Sequence, residues 1–253
     1  MSPTSYNLSL LRAGIKPFRL HWFPRLASTN THAAALRKRG TLFAPSIVLT
    51  GHQLAGRGRG TNTWWSAPGA ITATFVLPVE EHLSPHQIPL VAGLAVRNAI
   101  AEQTARDIQL KWPNDIYFDG RKLAGLLCQR IDKADLIGLG LNVNVSPADA
   151  PRALRDKITS LLEITATPQD LTQTLIAITR HLQQTMARRA EQPFAVLLRE
   201  YDRHHALNGR RIAVLENGRQ LTGRCEGIDS IGRLILKDKS TTHRIITGQV
   251  MMM

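Results

Sequence analysis

Apolar residues recur along this chain with two different periods, and the switches between them predict its elements. Residues 18–23, FRLHWF, alternate as a strand does. Residues 45–50, PSIVLT, are few and β-branched, which suits a buried strand, and 70–78, AITATFVLP, reads as another. Between the first two lies the alanine-rich NTHAAALRKR, with Ser28 or Thr29 placed to cap a helix and Gly40 to end it. From Pro85 to about Arg106, Ile88, Val91, Ala95 and Ala99 fall at helical spacing. IQLKW (108–112) and DIYF (115–118) are strands interrupted at Pro113, and Asp119-Gly120 signals a hairpin turn. KLAGLLCQRI and ADLIGLGLNVNV follow as two further strands, and residues 146–160, with Pro147 and Pro151, read as a loop. Leu171, Leu175, Ile178, Leu182 and Met186 mark an amphipathic helix, and FAVLLREYDRH a second.

The texture changes after His205. RIAVLENGRQLTGRCEGIDSIGRLILKD is a series of short strands divided by Asn217-Gly218 and by residues 229–232, the pattern of a small antiparallel barrel or meander. About 45 residues hold too little core to stand alone, so this part should dock on the rest. The expectation is an α+β fold, with residues 1–206 forming a mixed-sheet unit and 207–253 a small β unit. A chain of 253 residues accommodates that division.

Composition narrows the class. Hydrophobic residues at 43% and charged residues at 20% describe a globular chain rather than a disordered one. No apolar run approaches the roughly 20 residues of a membrane span. The start, MSPTSYNLSLLRAGIKPFRL, lacks the basic, apolar and small-residue sections of a signal peptide. Cys128 and Cys225 show no metal-ligand spacing. These features predict a cytoplasmic protein with reduced thiols and no membrane partner. With 32 basic and 19 acidic residues the formal charge is +13. Nucleic acid, an acidic protein, an anionic small molecule or a merely basic surface would each account for it.

Three segments carry candidate chemistry. GHQLAGRGRGTNTWW, residues 51–65, surrounds Arg57 and Arg59 with glycines and ends in Trp64 and Trp65. Its backbone can approach a ligand closely and form an anion-binding nest, while the guanidinium forks suit carboxylate and phosphate. It is neither a P-loop nor a dinucleotide fingerprint, because no Lys-Ser/Thr pair follows and Gly56, Gly58 and Gly60 alternate. An RNA-binding Arg-Gly segment or a plain mobile loop stays open. KWPNDIYFDGRKLAG, residues 111–125, sets Lys111 and Lys122 around a turn with Asn114 and Asp115 between them. A lysine at the mouth of a sheet can stabilise a carboxylate and a phosphate as they react; a solvated hairpin is the alternative, and Trp112 is read as core packing in either case. IGLGLNVNV, residues 137–145, puts Gly138 and Gly140 inside an apolar strand, where glycine often marks close approach by a ligand, with Asn142 and Asn144 on one face; a twisted strand with bulges is the default reading. No Ser-His-Asp order, HExxH or Cys-His cluster is present.

Together these segments resemble the biotin protein ligases, enzymes that activate biotin as biotinyl-adenylate and pass it to a carrier lysine. STN at 28–30, GHQLAGRGRG with Trp64, KWPNDIYFDGRKLAG and IGLGLNVN occur in that family's order, and the resemblance covers roughly residues 18–250. It implies a mixed α/β catalytic domain with a C-terminal SH3-like β-barrel. It implies a biotin site at Ser28, Thr29, Asn30, Gln53, Gly56, Arg57, Gly58, Arg59, Trp64, Lys122 and Gly125. It implies an ATP site at Arg57, Arg59, Lys111, Asn114, Lys122 and Asn142. Lys122, Arg57 and Arg59 would screen the reacting carboxylate and α-phosphate, and Asp115 would steer or deprotonate the incoming amine. ATP with Mg²⁺ is the implied co-substrate, its metal ligands unspecified. The implied partner is the biotin carboxyl carrier domain of acetyl-CoA carboxylase or a similar carboxylase, and the resemblance leaves room for a homodimer. Some members carry an N-terminal winged helix; about 18 residues precede the first catalytic strand here, so no specific DNA binding is expected. The GTNTWW that follows Arg59 replaces further basic residues found in some members, which bears on how the adenylate is retained. A lipoate–protein ligase of related fold and a basic nucleic-acid-binding module are the rival readings.

Overall fold

The computed structural model describes residues 4–216, 218–239 and 241–253. Asn217, one half of an expected turn, lies outside the described residues. In chain order the elements are α1 (Leu8–Gly14), β1 (Arg19–Phe23), α2 (Thr29–Lys38), β2 (Ser46–Thr50), β3 (Ala70–Pro78) and α3 (Ile88–Thr104). Next come β4 (Gln109–Lys111), β5 (Asp115–Phe118), β6 (Arg121–Ile131), β7 (Ala134–Asn142), α4 (Leu161–Thr165), α5 (Leu171–Glu191) and α6 (Phe194–Arg203). The chain ends in β8 (Arg211–Glu216), β9 (Arg219–Ile228), β10 (Leu234–Asp238), β11 (Thr241–Ile245) and β12 (Gln249–Met252).

Strands β1 to β7 form one seven-stranded sheet in the order β1-β2-β3-β7-β6-β5-β4. Only β1 and β2 run parallel; the other pairs are antiparallel, so the sheet is mixed. Every residue of β2 and β7 is buried because both faces of the central strands are covered. Alternation along β2 shows the two layers: Ile47 and Leu49 join the large core under α3, whereas Val48 joins Ala33 of α2 and Val76 of β3 on the other face. Ser28 starts α2 as expected, its hydroxyl accepting from the Thr31 N–H.

Strands β8 to β12 form a separate five-stranded antiparallel sheet, order β11-β10-β9-β8-β12. Its inner residues Ile212, Val214, Leu234 and Leu236 belong to the same apolar cluster as the core of the larger sheet. Polar contacts fix the seam. The Trp112 indole N–H donates to the Gly232 carbonyl at 3.1 Å, and the Gln87 amide donates to that of Ile231 at 3.1 Å. A Cβ at Gly232 would come within 2.6 Å of Leu90, so glycine is what lets this turn lie against α3. Trp112→Phe keeps one aromatic ring but loses the pyrrole ring and its N–H, which orphans a buried carbonyl at a cost of about 1–3 kcal/mol besides the lost packing. A fall in melting temperature of roughly 2–10 °C is expected. An unchanged melt would show that the bond contributes nothing to the seam.

Two expectations needed adjustment. The last strand of the large sheet stops at Asn142 rather than running to Val145. Asn144 therefore does not project beside Asn142: its side chain clamps the backbone of Gln169 through both amide ends. Helices α1 and α4 were not anticipated; at 7 and 5 residues they are too short to show a period.

Candidate functional site

A cavity of about 800 Å³ opens over one face of the large sheet, beside the N-terminal turn of α2. Its floor follows from strand register. Asp115, Gly125, Gly140, Thr72 and Thr50 lie side by side across β5, β6, β7, β3 and β2. Two glycines at the middle of that row leave a trough where side chains would otherwise stand. Trp64 lies in it: a Cβ on Gly140 would come within 2.3 Å of the indole ring. One step along β7, a Cβ on Gly138 would come within 2.6 Å of the Asn30 amide. The space these two glycines leave is taken by the protein's own Trp64 and Asn30 side chains.

The polar end of the cavity is tightly determined. Gln53 Oε1 accepts from the Thr29 N–H at 2.8 Å and from the Thr29 hydroxyl at 3.1 Å, while the Thr74 hydroxyl donates to that of Thr29 at 2.9 Å. Asn30 donates to the Leu127 carbonyl and accepts from Gln129. Ser28, Thr29, Asn30 and Gln53 are all buried. These side chains hold fixed rotamers, as recognition of a compact polar ligand head requires.

The opposite end is cationic. Lys122 Nζ lies 2.6 Å from Asp115 Oδ1 and 5.9 Å from the centre of the Trp64 ring. A Cβ at Gly125 would come within 3.0 Å of Lys122 Nζ, so the missing side chain makes room for the pair. Lys111 donates to the Tyr117 hydroxyl at 3.2 Å. Burial pushes the Lys111 pKa down, Lys122 adds to this and Asp115 opposes it. Burial, helped by Asp115, pushes Tyr117 up to about 12, so it stays a neutral donor. Arg59 is lowered by burial while Asp115 works the other way.

The segment 51–65 is more built than a loose loop. Arg57 bridges Thr63, the Gly58 N–H donates to the Asn62 carbonyl at 2.8 Å, and Trp64 N–H to Gly56 O at 2.9 Å. Gly56 is the one candidate position that does not line the cavity. It lies behind, where a Cβ would come within 2.4 Å of the Trp64 carbonyl. The rest of the implied set lines one wall or another: Ser28, Thr29, Asn30, Gln53, Arg57, Gly58, Arg59, Trp64, Lys111, Asn114, Asp115, Lys122, Gly125 and Asn142. Two amides among them are already engaged. Asn114 donates to the Leu126 carbonyl at 2.6 Å, and Asn142 to that of Thr159 at 3.0 Å.

Sequence reasoning named no residue in two further walls. Leu215, Glu216 and residues 247–250 of the C-terminal sheet line the cavity, as do Leu154, Lys157 and Ile158 of the loop before α4. The C-terminal residues carry no recognisable motif, so no sequence signal could have found them. The strand-like pairing of Lys122 with Ile158 brings the second group in.

Residues 22–146 match the model of the biotin/lipoate A/B protein ligase family, and 208–253 match the biotin protein ligase C-terminal domain. The chain is 30% identical over 250 residues to a biotin–[acetyl-CoA-carboxylase] ligase of Mycobacterium tuberculosis, covering 95% of this chain and 91% of that protein. It is 36% identical over 154 residues to the chloroplastic biotin–protein ligase 1 of Arabidopsis thaliana, covering 55% of this chain and 41% of that protein. The chain spans about half the length of several curated relatives it matches, the plant ligase among them. Among solved structures, the biotin protein ligase of Aquifex aeolicus in complex with biotin and ATP superposes with a TM-score of 0.84 at 26% identity, covering 92% of this chain and 97% of that one.

Proposed function

The chain belongs to the biotin protein ligase family, and from this premise we propose that it activates biotin with ATP and transfers it to a lysine of a biotin carboxyl carrier domain. The observation that carries the reading is the single cavity in which a rigid polar end, an indole wall and a cationic end meet. Biotin's ureido ring fits the end formed by Thr29, Asn30 and Gln53, and its carboxylate points to Lys122.

In the first step a carboxylate oxygen of biotin attacks the α-phosphorus of ATP. The new C–O–P bridge forms as the bond to the β-phosphate oxygen breaks, and pyrophosphate leaves with the electron pair. Two anions must meet, so fixed cations decide the rate. Lys122 serves the carboxylate and the α-phosphate together, and Arg59 and Arg57 serve the phosphate from above. Lys111 and Asn114 border the nucleotide side. Among the described residues no cluster of three or more His, Cys, Asp or Glu could cage a metal. Mg²⁺ would arrive on the phosphates and keep most of its water. Asp115 and Glu216 are cavity carboxylates able to touch it, and when bound it neutralises phosphate charge.

In the second step the neutral amine of the carrier lysine attacks the acyl carbon and AMP leaves. Asp115 is placed to attract that amine and accept its proton once Lys122 turns to the phosphate. The cytoplasm, where ATP and apo-carboxylases meet, is the proposed compartment. The test is mass spectrometry of an acetyl-CoA carboxylase carrier domain incubated with the protein, ATP and either biotin or lipoate. One biotin on a single lysine is expected. Modification by lipoate instead would move the chain to the sister activity.

A further inference from the structure

The two arginines of the glycine-rich hairpin are held differently. Arg57 is exposed, and its guanidinium makes no hydrogen bond or ion pair among the described residues. Arg59 is anchored on three sides. Its Nη2 donates to the Thr247 hydroxyl at 2.8 Å, and its Nη1 donates to the Gly248 carbonyl at 3.4 Å and to Asn114 Oδ1 at 3.3 Å. Thr247 and Gly248 sit on the turn between β11 and β12, so the C-terminal sheet reaches across the cavity to the hairpin. That turn is a firm support: a Cβ at Gly248 would come within 2.6 Å of Val214 and 3.1 Å of the Leu215 carbonyl. The glycine lets it lie flat on β8.

All three acceptors are uncharged. They orient the guanidinium without neutralising it, and its remaining N–H groups stay free to grip an anion. A carboxylate in the place of Thr247 would instead offset the charge that a phosphate needs. Of the three, Thr247 makes the shortest bond and is the only acceptor that belongs to a C-terminal side chain.

We propose that Thr247 is a positioning residue for Arg59, through which the C-terminal sheet sets how firmly the hairpin retains the activated adenylate. This rests on the ligase reading above and assigns a control point within it. Thr247 touches no reacting atom; it acts through the arginine.

The experiment uses the full chain and the variants Thr247→Val, Thr247→Ser, Arg59→Met and Arg59→Met with Thr247→Val. Labelled biotinyl-adenylate is formed from biotin and ATP without carrier, and its release is followed by rapid filtration. Hydrogen exchange of residues 57–63 is measured without substrates. Thr247→Val should release the adenylate roughly tenfold faster or more, the usual scale of a lost charge-assisted bond. Biotin affinity should hold, since the polar end is untouched. Thr247→Ser keeps the acceptor and should behave as the parent. In the Arg59→Met background Thr247→Val should add nothing. Unchanged release in Thr247→Val, or effects of the two changes that multiply, would overturn the proposal. If the parent forms no adenylate, the ligase reading fails by itself. The exchange measurement then still decides the strut: faster exchange at 57–63 in Thr247→Val supports it, and equal exchange rejects it.

Discussion

Lys122→Met is expected to slow adenylate formation roughly 30- to 1000-fold at saturating biotin and ATP, the cost of removing one preorganised charge from a transition state. Ground-state biotin already carries its carboxylate, so some affinity is lost as well. In the transition state, however, the lysine faces the α-phosphate too, and the interaction is stronger there, which is the condition for affecting the rate. The structure adds a complication. Lys122 and Asp115 stand 2.6 Å apart, and methionine would leave the carboxylate uncompensated at the place where two anions must meet. Lys122→Met with Asp115→Asn separates the two effects. If repulsion by Asp115 dominates, the double variant recovers most of the rate; if the missing cation dominates, it stays slow. The account requires the second outcome. Single-turnover measurement beside a biotin titration makes the comparison. Collapse of affinity with an unchanged saturated rate would make Lys122 a binding residue only.

The second large effect is expected at Gly140. No positive φ forces glycine there, so the demand is spatial. The Cβ of alanine would sit 2.3 Å from the Trp64 indole, and a rigid ring lying on a strand cannot bend aside as a lysine tip can. It must lift into the cavity, where the substrate belongs. Overpacking of this kind costs about 1–3 kcal/mol. Biotin affinity should therefore fall by roughly 10- to 100-fold. Isothermal titration on Gly140→Ala reads this directly. Adding Trp64→Ala should restore thermal stability but not affinity, because the ring is both the obstacle and the wall. Wild-type affinity in Gly140→Ala would mean that the indole lies elsewhere when substrate binds.

Much of this was legible in the sequence because the elements announce themselves locally. The run AITATFVLP gives the bounds of β3, and Asp119-Gly120 supplies the positive-φ pair of the β5–β6 hairpin. Gly138 and Gly140, unfavourable inside a strand, are a sign of close approach, and the structure sets Asn30 and Trp64 against them. The two walls that were missed depend on packing between distant parts. Thr247 and Gly248 reach Arg59 only because the second sheet docks through Trp112 and Gly232, residues separated by 120 positions. The KWPND segment shows why the docking stayed hidden. Its Lys111, Trp112, Asn114 and Asp115 all line the cavity, and Trp112 also serves the seam through its indole N–H. One short motif holds both the chemistry and the joint that brings in the second sheet; a linear reading gives Trp112 as core packing but not the sheet it joins. For the 51–65 segment the glycines leave a plain mobile loop open. In the structure those glycines allow a tight hairpin, with Gly60 in the left-handed region.

Biotin-dependent exchange of labelled pyrophosphate into ATP, measured without carrier, tests the central claim most directly, since it requires reversible attack of biotin's carboxylate on the α-phosphorus and nothing else. The account predicts exchange with biotin, none without it, and none when lipoate takes its place. Absence of exchange with biotin at saturating ATP and Mg²⁺, together with salt-sensitive binding of the protein to nucleic acid, would contradict it.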